Sequence, residues 1–152
     1  MQDVKTAMNA LSHGVYILGV SAGGKANLMT AAWITQISSS PALLVAVGKS
    51  HYTAPLIEEA GHFSVSVLSK DQRGIALRCG TVSGRNEDKL KGLDVVYTSD
   101  GDPLIRGAAA HLSCKVIQVY KDGDHILFCG QVTSGQYFSD DVLLYHHKEF
   151  FE

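Results

Sequence analysis

The sequence lacks any apolar run long enough to cross a bilayer: stretches such as Pro41 to Val47 fall far short of the roughly 20 residues a membrane helix needs. Cysteine is scarce. Cys79, Cys114 and Cys129 form an odd set without a CxxC pair, which argues against a disulfide framework and a structural zinc site. They read as small buried apolar side chains in a reducing compartment. Basic charge is limited too: 13 Lys and Arg stand against 15 Asp and Glu, with no basic stripe, so nucleic acid is not expected as the main partner. The stretch Met1 to Met8 carries Asp3 and Lys5 but no apolar signal core, and the expected location is the cytoplasm.

Chemical signatures are missing as well. There is no GxGxxG fingerprint, Walker loop or HExxH motif. His146 and His147 are adjacent, so on a strand they point to opposite faces and make a poor metal pair. No His-x-His cluster with a carboxylate is present, and a cupin-type metal enzyme is set aside.

What is present is a globular composition. Its 152 residues, 45% apolar and 18% charged, suit one domain over 1–152 with a core of its own. Strand signals dominate. His13 to Ser21 is rich in β-branched and aromatic residues and ends at Gly23-Gly24, a pair suited to a hairpin turn. Asn27 to Ser39 reads as a return strand, and Pro41 as the break before a strand over Leu43 to Val47. Ser50 to Gly61 reads as a helix capped by Ser50 or Thr53, with Pro55 in its first turn and Gly61 closing it. His62 to Leu68 alternates as a half-buried strand does.

Asp71 to Cys79 reads as a short helix, and Ser83 to Leu90 as a loop entering a helical turn. A strand over Val95 to Thr98 and a turn at Asp100 to Pro103 come next. Ala109 to Tyr120 and His125 to Tyr137 read as long strands joined at Lys121-Asp-Gly-Asp124. Val142 to Phe150 reads as a last strand. Many strands in meander order with few helices predict a closed antiparallel barrel, because closure removes exposed edges.

Four places could hold chemistry. Asn27 to Pro41 mixes Thr30, Thr35 and Ser38 with the only tryptophan, Trp33. Small hydroxyl side chains let a flat ligand approach the backbone; the same pattern also suits a strand whose hydroxyls face solvent. Gly48 to Thr53 ends a strand and starts a helix, so free amides, two hydroxyls and Lys49 could cradle a phosphate, or simply cap a helix. His125 beside a hairpin turn is either a surface residue or a donor facing a ligand. Ser83 to Lys89, with Arg85, is either a solvated loop or an approach to the same ligand.

In order along the chain, these segments resemble the flavin reductase-like family, the FMN-binding split barrel. The subgroup most similar to this chain contains flavoredoxins and the flavin domain of high-molecular-weight rubredoxins. The resemblance rests on Gly14-Val15, Asn27-x-Met-Thr-Ala-Ala-Trp33, Ser38-x-x-Pro41 and the Thr53 helix. It continues through Ser83-Gly-Arg-x-x-Asp-Lys89, Gly123-Asp-His125, Gly130-x-Val132 and Leu143-Leu-Tyr145.

It implies a mainly β fold with a few short helices, a Greek-key-like antiparallel split barrel, paired as a homodimer with FMN near the interface. Asn27, Met29, Thr30, Trp33, Thr35 and Ser38 would then line the isoalloxazine and ribityl chain. Lys49, Ser50 and Thr53 would hold the phosphate. His125 would sit beside the flavin or the nicotinamide as the catalytic residue, and Arg85 and Lys89 would approach from their loop. The longer flavoredoxins run on past the last strand, and Ala42 replaces the second proline of the usual Pro-Pro pair. A more exposed flavin is expected from the shorter end.

The resemblance also implies a mechanism in which FMN takes hydride at N5 from NADH or NADPH and passes electrons on, with no essential protein nucleophile. Two other readings stay open: a flavoredoxin-like electron carrier reduced by a rubredoxin-like partner, and a non-catalytic module holding a flavin or a haem-like ligand.

Overall fold

The computed structural model describes residues 3–81, 83–85 and 87–146. In chain order the elements are α1 (Val4–Met8), β1 (His13–Gly14), β2 (Tyr16–Ala22), β3 (Lys25–Ala31), β4 (Ile34–Ser38), β5 (Ala42–Gly48), α2 (Thr53–Ala60) and β6 (His62–Val67). They continue with α3 (Arg73–Thr81), β7 (Val95–Tyr97), β8 (Pro103–Ile105), β9 (Ala110–Asp122), β10 (His125–Tyr137) and β11 (Leu144–Tyr145). No helix among the described residues is long and apolar enough to cross a membrane.

Seven strands form one antiparallel sheet in the order β3-β2-β6-β9-β10-β5-β4. Its two edges, β3 and β4, are consecutive in the chain and joined only by Ala32 and Trp33. In a flat sheet six strand spacings would separate these edges by about 29 Å. Three Cα steps from Ala31 to Ile34 reach about 11 Å at most. The sheet must therefore roll until its edges approach, which makes a barrel split along the β3–β4 seam.

This overturns two expectations. The single return strand over Asn27 to Ser39 is two strands on opposite edges. The order is also not a meander: within this seven-stranded sheet, β2–β3, β4–β5 and β9–β10 pair as neighbours in sequence, and the remaining links are crossovers, as in a Greek key. The β2–β3 hairpin turns where anticipated, at Gly23 and Gly24 with φ of +57° and +79°, values that glycine adopts without a Cβ clash.

The core divides across the sheet. Leu18, Val20, Val45, Val47, Phe63 and Phe128 pack inside the barrel. Ile17, Leu28, Leu68 and Ile105 pack in a second cluster with α3. β2 feeds both, so its two faces are buried and it reads as a continuous apolar run. Each such side chain taken fully out of water contributes on the order of 1.5–3 kcal/mol.

β6 was expected to be half-buried, yet Ser64 and Ser66 are fully buried. β8 covers them: the Ser64 hydroxyl donates to the Pro103 carbonyl at 2.6 Å, and the Ile105 amide donates to the Ser66 hydroxyl at 2.9 Å. β8 itself was read as part of a turn because it opens on proline, a residue that the first position of a strand tolerates. The final strand is shorter than expected: β11 pairs with β1, Val142 bridges Ser69, and 147–150 lie outside the described residues. The N-cap of α2 is Tyr52, which makes no side-chain capping bond, so neither Ser50 nor Thr53 is the cap; Gly61 closes the helix with φ +74°.

Candidate functional site

The β3 edge and the start of α2 meet at a cleft of about 290 Å3. Its walls include Asn27 and Met29 from β3, Ser50 and Thr53 from the entry to α2, and Lys89 from the loop after α3. Asn27 and Met29 are two apart on a strand, so they share a face. The buried Asn27 side chain donates its amide to the Thr53 hydroxyl at 3.0 Å, fixing strand to helix. Thr30 points to the other face, where its hydroxyl donates to the Ala76 carbonyl of α3 at 2.6 Å.

Gly84 closes the cleft. A Cβ there would lie 2.2 Å from Asn27 Oδ1 and 2.9 Å from the Tyr52 ring. The loop therefore lies directly on the cleft wall, at a distance that only glycine permits. From the same loop, Arg85 donates to the Ser50 carbonyl at 2.9 Å and carries its guanidinium 5.2 Å from the Tyr52 ring centroid, within cation–π range.

The cleft is positively charged. Lys89 is only 4% exposed and donates to the Cys79 carbonyl at 2.9 Å. Burial holds its ammonium below the usual lysine range. His51, on the cleft wall, is held below its usual value first by burial and then by the positive fields of Lys89, His125 and Arg85. No carboxylate lines the cleft among the described residues. Hydroxyls, the first turn of a helix and buried or adjacent cations form a donor set suited to an anion such as a phosphate.

A second group sits at the mouth of the barrel. The Trp33 and His125 rings pack with centroids 4.8 Å apart at 43°. His125 Nδ1 lies 2.7 Å from Asp124 Oδ1, and the Lys49 amide donates to the Asp124 carbonyl at 3.0 Å. The hydrogen bond from His125 holds the Asp124 carboxyl below its ordinary value. Trp33 stays 53% exposed, leaving an open aromatic surface beside an imidazole.

The structure thus joins Asn27, Met29, Ser50, Thr53 and Lys89 on one cleft, with Arg85 bonded to the Ser50 carbonyl, and gathers Trp33, His125 and Lys49 in the second group. It does not bring Thr35 and Ser38 to the cleft walls; both are exposed on β4. Cleft residues without an assignment from sequence include His51, Tyr52 and Gly84. The only hint was the Lys49-Ser-His-Tyr-Thr53 junction between strand and helix, and the glycine of Ser83-Gly-Arg85.

Among the described residues no hydrogen bond in this cleft pairs a nucleophile with a base. The buried thiols of Cys79 and Cys114 are pushed up to about 11 and about 12 by desolvation, which suits structural rather than reactive cysteines. No cluster of three metal-binding side chains occurs among the described residues.

Residues 8–152 match the model of the flavin reductase like domain. The NADH-dependent FMN reductase AsuE2 of Streptomyces nodosus is 31% identical over 135 residues, covering 86% of this chain and 71% of that protein. The NADH:FAD oxidoreductase SgcE6 of Streptomyces globisporus superposes with a TM-score of 0.83 at 31% identity, over 89% of this chain and 81% of that one. A flavoredoxin of Methanosarcina acetivorans superposes with a TM-score of 0.82 at 31% identity, over 88% and 79%.

Proposed function

Because the chain belongs to the flavin reductase like family, we propose that this oxidoreductase holds FMN in the β3–α2 cleft and moves electrons from NADH or NADPH through it to an acceptor. The observation that carries this reading is the gathering of Asn27, Ser50, Thr53 and Lys89 on one cleft that no carboxylate lines among the described residues, with Arg85 bonded to the Ser50 carbonyl. The residues fit the group: the hydroxyls, helix start and cations of the cleft are a donor set that matches a phosphate.

When bound, the flavin supplies the redox chemistry, and the protein supplies position and charge. Ser50, Thr53 and the first turn of α2 hold the phosphate, with Lys49, Arg85 and Lys89 adding charge around it. Asn27 and Met29 bed the ribityl chain. The backbone of Thr30 and the Trp33 ring bed the isoalloxazine, and Thr35 and Ser38 extend that bed along β4. His125, held by Asp124, stands beside the ring to orient the nicotinamide and to donate a hydrogen bond. Ile37, Ile117, Val119, Tyr137 and Phe138 are exposed on β4, β9 and the end of β10. Exposed apolar side chains suit burial against a partner, and the proposed assembly is a symmetric homodimer.

The test is the visible spectrum of the purified protein loaded with FMN, before and after anaerobic NADH and NADPH. Flavin bands that bleach with either nucleotide support the reductase. Bands that persist until dithionite is added favour a carrier served by a protein donor such as a rubredoxin. A protein that neither retains FMN nor quenches its fluorescence overturns the reading.

A further inference from the structure

Lys89 differs from the other lysines of the chain. It is 4% exposed, whereas every other lysine among the described residues is exposed. Its ammonium donates to the Cys79 carbonyl at 2.9 Å, and no carboxylate lines its cleft among the described residues. The groups whose titration feels Lys89 are the Cys79 thiol, pushed up to about 11, and His51. Neither supplies a negative charge at neutral pH.

A buried lysine without an anionic partner gives up its proton more readily than one in water, and burial here disfavours the ammonium. The free amine that results is a nucleophile toward carbonyl carbon. Ser50, Thr53 and the start of α2 line the same cleft, and hydroxyls at a helix start suit a phosphate. One cleft of about 290 Å3 therefore offers both a nucleophilic amine and an anion cradle.

We propose that Lys89 captures a phosphorylated aldehyde as an imine, with the phosphate held at Ser50 and Thr53. The proposal rests on reading this cleft as a phosphate site. It adds covalent chemistry that the flavin does not use, and it makes the aldehyde a competitor of FMN for one cradle. In the step, the Lys89 nitrogen attacks the carbonyl carbon, the C–O bond breaks and a C=N bond forms. Both amine protons leave with the oxygen as water. No oxidant or reductant is consumed, and hydrolysis reverses the step.

Pyridoxal 5′-phosphate is the probe, because its imine absorbs visible light and borohydride fixes it as a stable secondary amine. The full chain is treated with the probe, then with borohydride, and the labelled lysines are mapped by mass spectrometry. Lys89 is expected to carry roughly tenfold more label than any exposed lysine. Pyridoxal, which lacks the phosphate, is expected to label Lys89 roughly tenfold less. Excess FMN or inorganic phosphate protects it. Lys89→Arg keeps the charge, cannot form the imine, and loses the visible band.

Label spread over exposed lysines with Lys89 unmodified overturns the proposal. Equal labelling of Lys89 by pyridoxal and its phosphate also overturns it, as does labelling that saturating FMN leaves unchanged. Quenching of FMN fluorescence, measured alongside, separates the two readings. An unlabelled Lys89 in a chain that binds FMN sinks the imine alone. A labelled Lys89 in a chain that binds no FMN sinks the flavin reading and leaves the imine standing.

Discussion

The Asn27 side-chain amide donates to the Thr53 hydroxyl at 3.0 Å, and both side chains are buried. The bond joins the edge strand β3 to the first residue of α2. A hydroxyl that accepts one hydrogen bond still has its own proton to give. Asn27 therefore occupies a lone pair of the Thr53 oxygen and leaves the O–H as its donor.

Breaking this pair from one side leaves a buried polar group without a partner. Asn27→Leu and Thr53→Val are each expected to cost about 1–3 kcal/mol in the ligand-free protein. The double variant removes both polar groups, so its cost falls below the sum of the two. Urea unfolding of the four proteins measures this. Strict additivity would show that the hydrogen bond contributes nothing to the fold.

The fit of Gly84 against Asn27 and Tyr52 gives a second expectation. Gly84→Ala forces the loop outward, because its Cβ would meet Asn27 Oδ1 at 2.2 Å. Arg85 moves with it, and FMN affinity drops by roughly tenfold. Little core is disturbed, so the melting temperature changes far less than for the Asn27 or Thr53 variants. Wild-type FMN affinity in this variant would show that the loop is no part of the binding surface.

Charge and shape separate at Lys89. Lys89→Met keeps most of the buried stem and removes the ammonium. If the ammonium faces the phosphate, FMN binding weakens by roughly tenfold or more, while riboflavin, which has no phosphate, binds as before. The wild-type preference for FMN over riboflavin should also shrink with added salt. Equal losses for both flavins would make Lys89 a structural residue holding the Cys79 carbonyl.

Much of the barrel was legible before the fold was known. The Gly23-Gly24 and Lys121–Asp124 hairpins, the break at Pro41 and the Gly61 helix end follow from local dihedral preference, which a short sequence carries. The division of Asn27–Ser39 into β3 and β4 was not legible. Ala32 and Trp33 hold no turn signal, and only the rolled sheet decides that the chain must switch edges there. β6 misled for a related reason: alternating serines look solvent-facing until β8, distant in sequence, covers them. At the site, the strand-to-helix junction that places Ser50 and Thr53 on the cleft was legible because helix termini are local. His51 and Gly84 were not, since their meaning depends on a loop folding back across β3.

The depressed value of His51 gives the last expectation. In the ligand-free protein burial disfavours the imidazolium, and Lys89, His125 and Arg85 add to that. A folded-state value below the unfolded one means the unfolded chain binds more protons, so this group's contribution to stability rises with pH and is lost on acidification. Binding a phosphate reverses the local field: an anion beside His51 favours the protonated ring and lifts its titration point. FMN binding then takes up a proton at pH values between the free and bound titration points. Affinity falls as the pH rises through the bound value and levels off above it.

The flavin phosphate has its own second ionisation near pH 6, which strengthens binding as pH rises and so opposes this trend. His51→Gln isolates the imidazole contribution, because it keeps a hydrogen-bonding side chain without titrating. Between pH 5 and 8 the ratio of variant to wild-type dissociation constants for FMN should decline with rising pH. For riboflavin the ratio should stay flat. An FMN ratio independent of pH would place the phosphate beyond the reach of His51.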